Sequence, residues 1–196
     1  MKIPSLFLFI FITFISFVPA GDPPANDFTI VLGQRVGPLK KGAGLADIQK
    51  AFGEKNVEEG DLPGPEGTTM PGAWIFKGTD QELQVMWEPE TKTKKVFSVI
   101  VIGHTWKFNN GLKLGSSMED VEKFNGGPFQ ISGFDWDYGG WASFEGGQLN
   151  KLVAIRFYPS VENPDPSLSG EQAIPTTNPE LRAAKPKVTE LMVMMQ

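Results

Sequence analysis

The 196-residue chain contains no cysteine and a single histidine. Without cysteine there is no disulfide, thiol nucleophile, zinc ribbon or iron–sulfur cluster, and one histidine excludes multi-histidine metal sites. The chain also lacks a basic excess: 18 Lys plus Arg stand against 23 Asp plus Glu, a formal net charge of −5, with no basic block. Affinity for nucleic acid rests on neutralised phosphates, so that class of partner is set aside. No Asn-x-Ser/Thr acceptor occurs, because Asn163 and Asn178 precede proline and the other asparagines lack the hydroxyl residue.

Glycine and proline are plentiful, at 22 and 16 residues. They demand many turns and short elements, more β than long helix. With no cross-links to compensate for a thin core, the apolar core must be continuous.

Lys2 is followed by an apolar run over 6–18 and then by Val18-Pro19-Ala20-Gly21. A helix needs about 20 residues to cross a bilayer core of roughly 30 Å, so this run is too short to span. The small residues after it suit signal peptidase, and 1–20 reads as a secretory signal cut after Ala20, with an uncleaved anchor as the alternative. No cysteine follows the run, which closes the lipoprotein route. Loss of Lys2 takes the net charge to −6. The expected location is periplasmic or secreted, with no membrane span after cleavage.

An internal repeat organises the rest. Leu39-Lys40-Lys41-Gly42-Ala43-Gly44-Leu45-Ala46-Asp47-Ile48-Gln49-Lys50-Ala51-Phe52-Gly53 aligns without a gap, 73 residues on, with Leu112-Lys113-Leu114-Gly115-Ser116-Ser117-Met118-Glu119-Asp120-Val121-Glu122-Lys123-Phe124-Asn125-Gly126. A second match, 92 residues apart, sets the strand beginning at Lys95-Val96 against the one beginning at Lys187-Val188. Between these ends Trp74 is set opposite Trp141. In each unit Ala43 or Ser116 is the expected N-cap, with Asp47 or Glu119 and Asp120 in the first turn, where the helix dipole favours negative charge. Leu45, Ile48 and Phe52, and then Met118, Val121 and Phe124, recur at intervals of three or four and make one apolar stripe. Gly53 and Gly126 end the helices.

Strands are expected at 74–76, 83–87 and 96–102 in the first unit, and at 140–144, 152–158 and 188–195 in the second. A short helical piece falls near 179–184. The Gly- and Pro-rich 60–67 stretch lacks the Lys-Ser or Lys-Thr of a phosphate loop and reads as a mobile surface loop. The expected class is therefore α+β: two tandem repeats, each a short helical layer packed on an antiparallel three-stranded meander. Unit 1 spans 28–103 and unit 2 spans 104–196, with 159–179 an exposed loop insertion.

The motifs Leu39-x-x-Gly42-x-x-x-x-Asp47-Ile48 and Leu112-x-x-Gly115-x-Ser117-x-x-Asp120-Val121, each ending at a glycine after one short helix, with Pro128 beyond Gly126, resemble the helical signature of the SmpA/OmlA family of bacterial outer-membrane lipoproteins. The same fold occurs in tandem duplicate in the β-lactamase inhibitory proteins. The resemblance implies a helical layer on an antiparallel sheet. The run 132–140 is also similar to one in uncharacterised exported proteins of Bacteroidetes-type bacteria.

The densest aromatic and acidic cluster is Phe134-Asp135-Trp136-Asp137-Tyr138-Gly139-Gly140-Trp141. As a strand it would place Phe134, Trp136 and Tyr138 on one face and Asp135 and Asp137 on the other. Exposed aromatics make platforms for a sugar ring or a partner side chain, whereas buried ones only fill the core; Phe134, Asp135, Trp136, Asp137, Tyr138 and Trp141 are the candidate binding residues under the first alternative. The Asp-x-Asp-x-Gly spacing lacks the further ligands of a calcium loop. His104 follows an apolar strand with no nucleophile elbow nearby, and Glu82, Glu88, Asp135, Asp137 and Glu145 are the carboxylates open to glycosidase chemistry. The favoured reading is an exported, non-catalytic binding or inhibitor-like module of the envelope, needing no cofactor and no metal, with a protein or glycan as partner. The alternatives are a structural envelope component and a carboxylate-based hydrolase.

Overall fold

The computed structural model describes residues 26–64, 67–89 and 93–195; the expected signal at 1–20 lies outside them. The chain opens with three short strands, β1 (Thr29–Val31), β2 (Arg35–Val36) and β3 (Leu39–Lys40), followed by α1 (Leu45–Phe52). The strands β4 (Val57–Pro63), β5 (Thr69–Ile75), β6 (Leu83–Trp87) and β7 (Val96–Val101) then form an antiparallel meander. After β8 (Lys107–Phe108) come α2 (Met118–Asn125), β9 (Gln130–Ser132), β10 (Ala142–Ser143) and β11 (Val153–Tyr158). The chain ends with β12 (Ala173–Pro175), α3 (Pro179–Ala183) and β13 (Lys187–Met194). No helix among the described residues is long and apolar enough to cross a membrane.

The molecule is α+β, and its centre is a six-stranded antiparallel sheet in the order β11-β13-β7-β6-β5-β4. The two units meet in this sheet, because β13 of the second pairs with β7 of the first. Strand alternation decides the faces. Val153 and Ile155, Leu191 and Val193, Val99 and Val101, Leu83 and Val85, and Ala73 and Ile75 lie in register and are at most 5% exposed. On this face they share one core with Ile48 and Phe52 of α1 and Met118 and Val121 of α2. A second tie between the units is the parallel pairing of β1 with β8.

The sequence repeat recurs in the hydrogen bonds. Val96 N–H donates to the Ala43 carbonyl at 3.0 Å, and Val188 N–H, 92 residues on, donates to the Ser116 carbonyl at 3.0 Å. Gly44 bridges Lys95 just as Ser117 bridges Lys187. Each helix is thus tied to the start of the last strand of its own unit. Ile100 and Met192 are equivalent under the same offset and lie directly opposite each other in the β7–β13 ladder. A pseudo-twofold axis therefore passes between them, at the middle of the sheet.

Several expectations change. The helix N-caps are Gly44 and Ser117, one residue later than Ala43 and Ser116. The cap on α2 is reciprocal, Asp120 N–H donating to Ser117 Oγ at 3.2 Å and Ser117 N–H to Asp120 Oδ2 at 3.2 Å. Gly44 has no side chain, so α1 keeps only the half made by Asp47, which accepts from Gly44 N–H at 2.9 Å. The meander of unit 1 has a fourth strand: β4 occupies part of the stretch read as a surface loop and pairs with β5 over its whole length, from Val57–Ile75 to Pro63–Thr69. As an edge strand it tolerates the Glu, Gly and Pro residues that disguise it. In unit 2, β9 and β10 play the parts of β4 and β5. Trp141 bridges Arg156 where Gly72 pairs with Met86, so Trp141 corresponds to Gly72 and not to Trp74. Finally, 159–179 is no simple exposed loop. It holds a 3-10 turn (Pro166–Leu168) and β12, which adds to β9, and it buries Leu168, Ile174 and Thr176.

Candidate functional site

The second face of the central sheet has no helix on it among the described residues. Its central row is Ala154, Met192, Ile100, Gln84 and Trp74, all half-buried. The neighbouring row carries Met194, Ser98, Met86 and Gly72. Methionines are unusually concentrated here: Met70, Met86, Met192 and Met194 all belong to this side, and Ser98 Oγ donates to Met86 Sδ at 3.3 Å.

Two hairpin tips rise over this face. The β4–β5 hairpin bends at Gly60 and Gly72, which lie opposite each other. A Cβ on Gly72 would fall 2.4 Å from both Leu62 Cδ1 and the Val85 carbonyl, and one on Gly60 would fall 2.8 Å from the Trp74 ring. These two glycines let the hairpin close over the sheet, burying Leu62 completely. The pseudo-equivalent tip in unit 2 is the aromatic segment between β9 and β10. Together with the floor, the tips enclose a groove of about 850 Å³ whose walls include Pro63, Gly64 and Met70 on one side and Trp136, Asp137, Tyr138 and Trp141 on the other. A second hollow of about 610 Å³ shares Pro63, Ile100 and Glu190 with it and extends to Leu114 and His104.

The aromatic segment is not the strand its alternation suggests. Asp135 has φ 63° and Gly140 φ 78°, and the chain turns between them. At Gly140 a Cβ would sit 2.1 Å from the Phe157 carbonyl, so only glycine fits. Phe134 is buried in the core, 2% exposed, and its backbone is held by the distant segment 168–170 through Phe134 N–H to the Leu168 carbonyl at 2.7 Å and Gly170 N–H to the Phe134 carbonyl at 2.9 Å. Asp135 accepts a 2.5 Å bond from Ser169 Oγ. Neither Phe134 nor Asp135 faces the groove. Trp136, Asp137, Tyr138 and Trp141 do, with the Trp136 and Tyr138 rings edge to face at 5.5 Å. The six candidate residues are thus divided, two structural and four lining the groove.

Arg156 holds this tip in place. Its Nε donates to the Gly139 carbonyl at 2.7 Å, Nη1 to Glu190 Oε1 at 2.9 Å and Nη2 to the Asp137 carbonyl at 3.3 Å, while the Trp141 ring lies 5.9 Å away. Its charge is answered by Glu190. The Asp137 carboxylate makes no ion pair among the described residues. Arg156, Met70, Met86, Ile100 and Met192 escape a motif search because they come together from five separate strands; the only sequence signal is the row of half-buried apolar residues alternating with the core row.

His104 lies outside the main groove, exposed beyond β7 on the wall of the second hollow. Its backbone N–H and the Thr105 hydroxyl donate to Asp80 at 3.1 and 3.0 Å, clasping two turns together, and its Nδ1 lies 3.3 Å from Asp80. These bonds, the His104 amide foremost, hold the Asp80 carboxyl below the ordinary aspartate value. Glu82 is tied to the same region, accepting from Gly78 N–H at 2.7 Å.

No protein-family model matches the chain, and no curated protein matches it. Among solved structures the chain is similar to the uncharacterized protein yfeY from Escherichia coli, with 14% identity, 85% of this chain and 99% of that one aligned, and a TM-score of 0.48.

Proposed function

We propose that the protein is an exported, non-catalytic binding module of the bacterial envelope that holds a protein partner in the groove between its two hairpin tips. One observation carries the reading: an apolar sheet face of alternating half-buried residues, left open by the helices and flanked by two pseudo-equivalent tips. A half-exposed apolar surface of this kind costs free energy unless something covers it. Trp and Tyr are the side chains most often found anchoring interfaces, and methionine adapts its shape to what it meets.

The floor favours a protein over a glycan. Met86, Ile100, Ala154 and Met192 offer no strong hydrogen-bond donor or acceptor for sugar hydroxyls, and the Arg156 guanidinium is already occupied by three partners. The resemblance of the helical motifs to those of the tandem inhibitory proteins suits a module that acts by occupancy.

The test is a pull-down from native periplasm with the mature protein and with Tyr138→Ala, at a residue 50% exposed. A retained partner that Tyr138→Ala releases, with circular dichroism unchanged, supports the proposal. Retention of nothing, or retention indifferent to Tyr138, contradicts it.

A further inference from the structure

The two ends of the groove are related by the pseudo-twofold axis yet are chemically unlike. Around the Ile100–Met192 pair, Met86 corresponds to Arg156 and Ser98 to Glu190, as the ladder partners Met86–Ser98 and Arg156–Glu190 show. At the unit 1 end the floor therefore carries a thioether and a buried hydroxyl bonded to it, with Met70 beside it on the hairpin. At the unit 2 end it carries an ion pair closed on itself, beneath an aromatic tip. Above that end stand the Trp136 and Tyr138 rings and, between them in sequence, the Asp137 carboxylate with no ion pair among the described residues. A duplicated groove with identical ends suits a symmetric or featureless ligand. This one offers apolar contact at one end and, at the other, two negative ring faces beside a carboxylate, the combination that attracts a cation.

Resting on the binding-module reading, we infer that the occupant is a protein segment presenting an apolar side chain next to a lysine or arginine. The apolar side chain lies on Met86, Ile100 and Met192, and the cation lies against Asp137 and the Trp136–Tyr138 pair. Charge argues against the main competing apolar ligand. An anionic lipid would bring its phosphate to a mouth whose charged groups, among the described residues, are Asp137 and the internally paired Arg156 and Glu190, in a chain of net charge −5. Like charges there oppose binding, whereas a basic segment is steered in.

The test is fluorescence anisotropy with labelled peptides of alternating Leu and Lys, alternating Leu and Glu, and alternating Ser and Lys, together with co-sedimentation on phosphatidylglycerol vesicles. The Leu-Lys peptide is expected to bind, and the other two to bind more weakly. Asp137→Asn, at an exposed carboxylate, is expected to weaken Leu-Lys binding by about twofold to fivefold, the range of an exposed ion pair, and to flatten its salt dependence. Met192→Gln, close in volume, is expected to weaken it about tenfold or more by placing an amide on the apolar floor. Thermal melts check that both variants remain folded. Binding of Leu-Glu equal to Leu-Lys, binding of Ser-Lys equal to Leu-Lys, indifference to both substitutions, or attachment to vesicles in preference to Leu-Lys overturns the inference. So does failure of every peptide to bind; if the pull-down still depends on Tyr138 in that case, the inference falls and the binding-module reading stands.

Discussion

Asn125, at the end of α2, shows how a single polar side chain organises a turn in this core. It is 5% exposed, donates to the Gly127 carbonyl at 3.2 Å and accepts from the Leu149 amide at 3.3 Å. Gly147 packs so closely that a Cβ there would lie 2.0 Å from Asn125 Oδ1. The side chain thus joins the helix C-terminus to the turn before β11. Asn125→Ala leaves the Leu149 N–H buried without its partner, and we expect a loss of about 1–3 kcal/mol, measured by urea unfolding. A change below a few tenths would show that the amide is satisfied in another way. Residues such as Asn125 are hard to recognise in sequence, since nothing local distinguishes a buried asparagine before glycine from the exposed ones at turns.

At the scale of elements, the contrast between the two helix caps makes a quantitative case. Ser117 closes a full reciprocal cap on α2, whereas Gly44 supplies no side-chain oxygen to α1. Ser117→Ala is expected to cost about 1 kcal/mol. The cap also carries a pH signature. The Ser117 hydroxyl, and after it the Ser117 amide, hold Asp120 below the ordinary aspartate value of 3.8. A carboxyl depressed in the folded state stabilises it above its unfolded pKa, and that contribution fades as pH falls through the lowered value. Wild type should therefore exceed Asp120→Asn in stability at pH 5, with the gap closing below 3.8; a gap that is constant with pH would contradict the cap's role.

The elements also show which parts of the fold the sequence discloses. The helices, β6, β7, β11 and β13 are legible because their apolar periodicity agrees with their final environment. Strand β4 is not, since Glu58, Glu59, Gly60, Asp61 and Pro63 oppose strand formation locally and are overruled by pairing with β5. The aromatic tip errs in the opposite direction. Phe134-Asp135-Trp136-Asp137-Tyr138 imitates strand alternation, but Gly140 and the contacts with 168–170, some thirty residues distant, force a turn. Four of the six candidate residues reach the groove despite that misreading, because the segment's composition, more than its conformation, marks it.

At the scale of the whole molecule, the two repeat units form one structure with two unlike ends. The β7–β13 and β1–β8 pairings cross between units, and the core is shared. Unfolding should accordingly be a single transition, coincident by tryptophan fluorescence and far-UV circular dichroism, and residues 28–103 alone should show no cooperative transition. Two separated transitions, or a stably folded fragment, would mean that the units are independent. The joining of the units in one sheet creates the groove, since its floor comes from both units and its walls from one hairpin of each.

The central claim, that this groove is where the partner binds, is most directly tested by methyl NMR of protein labelled at methionine. Met70, Met86 and Met192 line the groove, while Met118 and Met195 are buried at 0% and 2% exposure. On titration with the partner retained in the pull-down, we predict that the resonances of Met70, Met86 and Met192 shift together and saturate with one affinity, while those of Met118 and Met195 hold nearly still. Binding that leaves the three groove methyls unmoved would place the partner elsewhere and contradict the account.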